Sequence, residues 1–201
     1  MGYALADTCL KLGANVFLVS GPVHIQLTHP NLKIVRVNSA PEMYLACCRF
    51  FEEVDIAVFA AAVADYRPHR IASRKIKKDE ETFSIRMIKN IDIALEFGKV
   101  KRADQLSVGF ALETEDELKN AIGKLERKNF DMVVLNSMND ADAGFGFDTN
   151  QISIIKKNFA RKTFPLKTKN EVASDIISEI VHSLEEYEEN LRLDLYESAY
   201  F

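Results

Sequence analysis

The chain opens with apolar residues at helical spacing. Between residues 3 and 12 they recur on one helix face, and Gly13 follows where a left-handed C-terminal cap would end the helix. Residues 15–20 are a short apolar run that Gly21 and Pro22 stop, which is typical of a strand buried on both faces. The first unit is therefore predicted to be a helix followed by a strand.

Helices and strands continue to alternate along most of the chain. The next predicted strands are residues 33–37, 55–61, 106–110 and 131–136. A helix is predicted at 39–53, where Ser39 and Glu42 form a capping box, and another at 114–129, which Thr114 begins. This alternation predicts an α/β fold, a Rossmann-like open and mainly parallel sheet with helices on both faces.

Two segments depart from this alternation. Residues 83–88 alternate with period two, and residues 152–156 and 162–166 form a predicted hairpin around Asn158. They predict a small antiparallel addition to the sheet. A final helix from Asn170 has five apolar residues on one face: Val172, Ile176, Ile177, Ile180 and Leu184.

The composition is that of one globular domain. The chain has 201 residues, of which 47% are hydrophobic and 28% charged. It contains no apolar stretch long enough for a membrane span and does not start like a secretory signal, so we expect a cytoplasmic protein with no membrane partner. The three cysteines, with Cys47 beside Cys48, are expected to be reduced core thiols. The four histidines lack zinc-ligand spacing, so we expect no metal site built by protein alone.

Charge is distributed unevenly along the chain. The net charge is −4, but residues 185–201 hold six acids and one arginine, and we expect them to be an acidic tail outside a domain of residues 1–184. Residues 66–78 instead contain six basic residues and no acid: Arg67, Arg70, Arg74, Lys75, Lys77 and Lys78. A triphosphate fits this short cluster better than a nucleic acid does, because aromatic residues are not interleaved and the chain is acidic overall. A solvated loop is the other interpretation.

The ends of the predicted strands indicate a ligand site, because an open α/β sheet binds ligands at the carboxyl ends of its strands. Residues 59–66 run from a buried strand through small side chains to Asp65, which suits a nucleotide, although an ordinary strand end is the alternative. Residues 90–94 have the order of a helix N-terminus, whose free amides can receive an anion or simply be capped. Phe110, at the next strand end, is a candidate for stacking on a base or for core packing.

Lys124 and Lys128 lie four residues apart on the helix at 114–129. Like charges at this spacing repel by a few tenths of a kcal/mol, roughly. Neither lysine has an acid three or four residues away within the helix. An anion from elsewhere is one possible partner, and two lysines extended into solvent are the alternative.

Seven blocks of sequence, in this order, resemble the phosphopantothenate-cysteine ligase family of coenzyme A biosynthesis. They are residues 1–6, 18–23, 60–67, 75–78, 89–93, 108–111 and 124–131. The resemblance reaches about residue 184. It implies a two-step acyl transfer, in which a nucleoside triphosphate activates the carboxylate of 4'-phosphopantothenate and the amino group of cysteine then displaces the nucleotide.

The resemblance also implies roles for individual residues. The nucleotide-binding set would be Phe59, Ala60, Ala61, Asp65, Lys75, Ile91, Asp92, Ile93, Ala94, Phe110, Lys124 and Lys128. Lys75 matches the active-site lysine of the family, and Lys124 and Lys128 match lysines on the phosphate side. Residues 63–68 and 75–78 are more similar to bacterial members, which use CTP, than to animal members, which use ATP. CTP is therefore the expected co-substrate, with Mg²⁺.

The resemblance implies partners as well, and the sequence departs from the family at two places. Bacterial members are usually fused to a flavin-dependent decarboxylase, so we expect such a partner and a homodimer.

Family members have a strand, a Gly-Gly-Thr turn and a catalytic Asn before the position of Met1, and they prefer a proline where Ile91 stands. An inactive nucleotide-binding fragment is therefore a second hypothesis. The third is a short-chain NADP-dependent reductase, although its Gly-rich turn and Tyr–Lys pair are missing from this sequence.

Overall fold

The computed structural model describes residues 1–72, 74–76, 82–113, 115–137 and 148–200. Their helices are α1 (Gly2–Lys11), α2 (Ala40–Cys48), α3 (Ile93–Val100), α4 (Glu117–Arg127) and α5 (Lys169–Tyr200). Their strands are β1 (Val16–Ser20), β2 (Leu32–Arg36), β3 (Ile56–Phe59), β4 (Tyr66–Pro68), β5 (Met87–Lys89), β6 (Leu106–Glu113), β7 (Met132–Ser137), β8 (Thr149–Lys156) and β9 (Arg161–Thr168).

The largest sheet has the strand order β3-β6-β7-β8-β9. Strands β3, β6 and β7 are parallel, and the β8–β9 hairpin adds two antiparallel strands at one side. Strands β1 and β2 form a separate parallel pair, and β4 and β5 form an antiparallel ribbon. The α/β fold with a mainly parallel core and an antiparallel addition is therefore confirmed.

Side chains on the two faces of this sheet pack against different helices. Val108 and Val134 contact the cluster that contains Leu5 of α1 and Ile176 of α5. The next residue of β7, Leu135, belongs instead to a cluster with α4. Because successive strand residues point to opposite faces, the all-apolar strands predict helices on both sides, and the structure has them.

A cleft of about 1850 Å³ separates β1 from β3. In the described part of the chain, β1 pairs with β2 alone, and β3 is an edge strand of the five-stranded sheet. The prediction that β1 is buried on both faces is therefore wrong: Ser20 is buried, but Phe17 is 36% exposed.

Several predicted boundaries shift for local reasons. Helix α2 begins at the predicted Ser39 cap but ends at Cys48, followed by turns, instead of continuing to residue 53. Helix α4 begins only at Glu117, because Asp116 has a left-handed backbone (φ 47°) that a right-handed helix cannot include. The predicted cap Thr114 lies outside the described residues.

The antiparallel segment also differs from expectation, and the last helix extends into the acidic tail. The strand predicted at 83–88 is reduced to β5, which pairs with the three residues of β4. One further hydrogen bond, from the His69 N–H to the Arg86 carbonyl oxygen at 2.8 Å, follows beyond the two strands. Helix α5 begins as predicted, buries Val172, Ile176, Ile177 and Ile180, and continues to Tyr200 through the acidic tail.

The three cysteines are free thiols at different depths. Cys9 and Cys47 are half-buried, whereas Cys48 is exposed, so the prediction of core thiols is wrong for Cys48. Burial, together with the neighbouring Cys48, raises the pKa of Cys47 to about 11, so it stays protonated at neutral pH. Among the described residues, no helix has the length and hydrophobicity to cross a bilayer.

Candidate functional site

Most of the predicted site residues lie together in the cleft, near the carboxyl end of β3. Eleven of the twelve residues assigned by resemblance line it: Phe59, Ala60, Ala61, Asp65, Ile91, Asp92, Ile93, Ala94, Phe110, Lys124 and Lys128. They come from the end of β3 and the segment after it, from Phe110 within β6, from the start of α3 and from the C-terminal end of α4. The parallel order of β3 and β6 places these segments at one edge of the sheet.

The segment after β3 contributes small side chains and one acid. Phe59 is held in the core, with its ring centroid 5.6 Å from that of Phe130 and 6.2 Å from that of Phe97. Ala61 and Asp65 are exposed beyond it. The strand therefore fixes the start of the segment, and its small residues leave the backbone open to a ligand.

Helix α3 begins beside this segment, and its N-terminus is capped. The Asp92 carboxylate accepts a hydrogen bond from the Leu95 N–H at 3.1 Å, as an N-cap residue does. Ile93 and Ala94 bury their side chains and anchor the first turn in the core. The predicted helix start is confirmed, and its first amides lie at the cleft.

Lys128 is not an uncompensated charge. Its ammonium donates to Asp92 Oδ1 at 2.9 Å, with only 13% of the lysine side chain exposed. Lys124 donates to the Phe110 carbonyl oxygen at 2.7 Å. The alternative in which both lysines extend into solvent is therefore wrong for Lys128, whose anionic partner Asp92 comes from another helix 36 residues earlier in the chain.

Close packing of two helices makes this ion pair possible. A side chain at Gly98 of α3 would collide with the backbone carbonyl of Lys128, so only glycine fits there. Asn129 also donates to the Gly98 carbonyl oxygen at 2.9 Å. The end of α4 is thereby held against α3, with the Lys128 side chain reaching the N-terminus of that helix.

The pKa of Asp92 reflects its surroundings. Partial burial raises it, but hydrogen bonds from Lys128 and from the Leu95 N–H, together with the positive charge of Arg127, lower it below its ordinary value. Asp92 is therefore ionised at neutral pH and fixes Lys128 in place.

Phe110 points away from the lysines. Its ring packs against the core cluster that α1 and α5 cover, while its carbonyl oxygen receives Lys124. The Phe110 ring therefore packs in the core, which was the alternative to stacking on a base. The Phe110 main chain lies at the cleft.

Lys75 is the one predicted site residue that does not line the cleft. It is exposed in the segment that joins β4 to β5. Its neighbours Lys77 and Lys78 lie outside the described residues. The structure therefore leaves the role of the basic run as a prediction.

Arg67 and Asn90 are outside the nucleotide-binding set that the resemblance implies, and the contact between them was not predicted. The Arg67 guanidinium donates to Asn90 Oδ1 at 2.8 Å, and Asn90 Nδ2 donates to the Ala64 carbonyl oxygen at 2.7 Å. Sequence shows Arg67 only as one cation of a basic run. The pairing of β4 with β5, which brings Arg67 opposite Ile88, is needed to reveal this contact.

The described residues contain no group of three His, Cys, Asp or Glu side chains arranged to hold a metal ion. Asp65 and Asp92 are the carboxylates at the cleft among the predicted site residues, and Asp92 already pairs with Lys128. This arrangement fits Mg²⁺ carried by a triphosphate, since that ion binds through substrate phosphates, water and one or two carboxylates.

Comparisons with known proteins agree on one relationship. The family model of the DNA/pantothenate metabolism flavoprotein C-terminal domain matches residues 1–184. A cysteine/cysteine sulfinic acid decarboxylase from an unknown prokaryotic organism is 50% identical over 181 residues, which are 90% of this chain and 50% of that protein. The coenzyme A biosynthesis bifunctional protein CoaBC of Bacillus subtilis (strain 168) is 37% identical over 180 residues, which are 90% of this chain and 44% of that protein.

A solved structure shows the same relationship. The crystal structure of the C-terminal domain of the coenzyme A biosynthesis bifunctional protein CoaBC has a TM-score of 0.76 and 34% sequence identity, and the match covers 92% of this chain and 82% of that chain. The chain spans about half the length of the curated relatives it matches.

Proposed function

The chain belongs to the family of the DNA/pantothenate metabolism flavoprotein C-terminal domain and is homologous to the C-terminal domain of CoaBC, and we propose that it is the phosphopantothenate-cysteine ligase of coenzyme A biosynthesis. The observation that carries this proposal is the strand-end cleft. It gathers an acid, the start of a helix and two lysines, which are the groups that binding a nucleoside triphosphate requires.

The proposed reaction has two steps. A carboxylate oxygen of 4'-phosphopantothenate attacks the α-phosphorus of CTP, and the bond to pyrophosphate breaks to leave an acyl-cytidylate. The cysteine amine then attacks the acyl carbon, CMP leaves with its electron pair, and the amine proton passes to solvent. The product is 4'-phosphopantothenoylcysteine.

The lysines stabilise the phosphate charge in this scheme. Lys124 and Lys128 lie where positive charge can offset the charge that develops on the phosphate oxygens, an effect commonly worth a few kcal/mol, roughly. A lysine ammonium has three N–H donors, so Lys128 can keep Asp92 as its partner and donate to a phosphate oxygen as well. CTP, with Mg²⁺ bound to its phosphates, is the proposed co-substrate, and Lys75 the proposed active-site lysine.

The cleft between β1 and β3 supports a further element of this proposal. Both strands are parallel to their outer neighbours, and among the residues that the structure describes nothing pairs with the edge that each turns toward the cleft. We propose that a parallel strand carrying the family's Gly-Gly-Thr turn and Asn belongs between them. It would join the two sheets into one and bring the Asn to the carboxyl end of the cleft.

The proposed partners follow from the family and from the ribbon. The β4–β5 ribbon stands apart from both other sheets and exposes Tyr66 and Met87, and such ribbons need further packing to be stable. This supports the proposal of a homodimer.

The 50% identical decarboxylase supports the proposed partnership with a flavin-dependent decarboxylase. Because all the proposed substrates are soluble metabolites, we place the reaction in the cytoplasm.

Pyrophosphate release and product mass, measured with 4'-phosphopantothenate, CTP, Mg²⁺ and cysteine, test the function. The 201-residue chain and a chimera that adds the family's strand, turn and Asn before Met1 are compared. We expect the chain alone to bind CTP weakly without making product, and the chimera to make 4'-phosphopantothenoylcysteine. Failure of both proteins to bind CTP would refute the proposal. Binding without turnover in both would favour an inactive nucleotide-binding protein.

A further inference from the structure

Asn90 uses its main-chain N–H and both polar atoms of its side-chain amide to hold the segment after β3. Its main-chain N–H donates to the Asp65 carbonyl oxygen at 2.7 Å, and its Nδ2 donates to the neighbouring Ala64 carbonyl oxygen, also at 2.7 Å. Its Oδ1 accepts from Arg67 at 2.8 Å, and the same guanidinium nitrogen lies 3.3 Å from the Lys89 carbonyl oxygen. Half-buried Asn90 therefore ties two segments together, residues 64–67 and the turn that leads into α3.

These segments form the rim of the candidate site. Residues 60–65 contain neither helix nor strand, and most of their side chains are small. Such a segment has little packing of its own to hold it in one conformation. Asn90 lies two residues before the N-cap Asp92, so its bonds to Ala64 and Asp65 fix the position of the segment relative to the start of α3.

Arg67 determines which way the Asn90 amide points. A guanidinium can donate hydrogen bonds but cannot accept them, so it holds the oxygen of the amide and not the nitrogen. The amide nitrogen is then directed at the Ala64 carbonyl oxygen. Without Arg67 the amide can rotate, which would turn Oδ1 toward that carbonyl and replace a hydrogen bond with repulsion between two oxygens.

We propose that Arg67 and Asn90 are positioning residues of the nucleotide site. They act through the main chain: Asn90 fixes the segment that carries Ala61 and Asp65, and Arg67 fixes Asn90. Arg67 is not among the residues that line the cleft, so it acts from behind the site. This role rests on the proposed function for the identity of the ligand, but the effect on the segment is a property of the ligand-free protein.

The test combines CTP binding with hydrogen exchange. The variants are Arg67→Met, Arg67→Lys, Asn90→Asp and, as a matched control, Arg86→Met, whose parent side chain is exposed one residue before β5. Loss of one or two such hydrogen bonds should weaken CTP binding about three- to tenfold. Asn90→Asp, which keeps the acceptor for Arg67 but loses the donor to Ala64, should weaken it as much as Arg67→Met does. Arg67→Lys, which can still donate to Oδ1, should fall between parent and Arg67→Met.

Two further measurements distinguish positioning from a general loss of stability. Amides of residues 61–65 and 91–94 should exchange faster in ligand-free Arg67→Met and Asn90→Asp, while the thermal midpoint and exchange elsewhere stay at the parent values. Unchanged local exchange and CTP affinity would overturn the proposal. So would a loss of affinity that follows a general fall in the midpoint. A parent protein that binds no CTP would refute the proposed function, and the exchange data would still decide whether Arg67 and Asn90 fix the segment.

Discussion

We expect Lys128→Met to destabilise the ligand-free protein as well as to weaken CTP binding. The Lys128 ammonium is 2.9 Å from Asp92 Oδ1, with 13% of the lysine and 36% of the aspartate side chain exposed. Hydrogen bonds to charged groups contribute about 1.5–3 kcal/mol when sheltered, and solvent screening reduces this toward about 1 kcal/mol for a half-exposed pair. In a protein of this length, that loss lowers the thermal midpoint by about 2–4 °C.

A double-mutant cycle isolates the pair from the helix cap. Asp92→Asn removes the charge but keeps a side-chain oxygen for the Leu95 N–H, and asparagine caps helices as well as aspartate does. Lys128→Met should therefore cost about 1 kcal/mol in the parent and little in the Asp92→Asn background. Lys119→Met, on the exposed surface of the same helix, is the control and should stay within about 0.5 kcal/mol of the parent. Urea unfolding measures the free energies of the four proteins of the cycle and of the control.

The pH dependence supplies an independent check. The folded-state pKa of Asp92 is lowered, so the stabilisation is complete above the ordinary aspartate pKa of about 3.9 and is lost as the pH falls through the lower folded value. The difference in unfolding free energy between parent and Lys128→Met should be full at pH 7 and shrink below about pH 4. Additive free energies in the cycle at pH 7, or a difference that persists unchanged to pH 3, would show that the ion pair contributes nothing.

Three further predictions concern the site and its supports. In the chimera that carries the added strand, Lys75→Ala should suppress acyl-cytidylate formation, measured as pyrophosphate release, and Lys77→Ala should suppress it less. Equal activity of Lys75→Ala and the parent would show that the basic run is only a solvated loop. Gly98→Ala should cost about 1–3 kcal/mol in urea unfolding, because its methyl group would meet the Lys128 carbonyl oxygen. Gly123→Ala, a helical position with open space around it, should instead be neutral or stabilising, and a similar loss at both glycines would contradict the packing. CTP should raise the thermal midpoint and NADPH should not, and the reverse result would favour the reductase hypothesis.

Local chemistry was predictable from the sequence. Ser39 and Glu42 form the expected capping box, because the two residues that must meet are three apart in the chain. The face of α5 that is buried follows directly from the spacing of its apolar residues. The end of β3 and the start of α3 were likewise visible, since both depend on short runs of neighbouring residues.

Contacts between distant segments were not predictable. Neighbours within α4 gave no hint that Lys128 has a partner, because Asp92 lies on a different helix. The role of Arg67 depends on the β4–β5 register, and the partial exposure of β1 depends on which strand lies beside it. In each case the helix or strand was recognised, but its partner is set by the tertiary arrangement.

The cleft between β1 and β3 also bears on the solubility of the protein. Strand β1 (Val16–Ser20) and strand β3 (Ile56–Phe59) contain no charged residue and no proline, and each has one edge without a partner strand in the described part of the chain. Unprotected edges of this composition pair readily with other chains and begin aggregation. A strand seated between them would cover both edges at once, so completing the sheet would protect the protein from self-association.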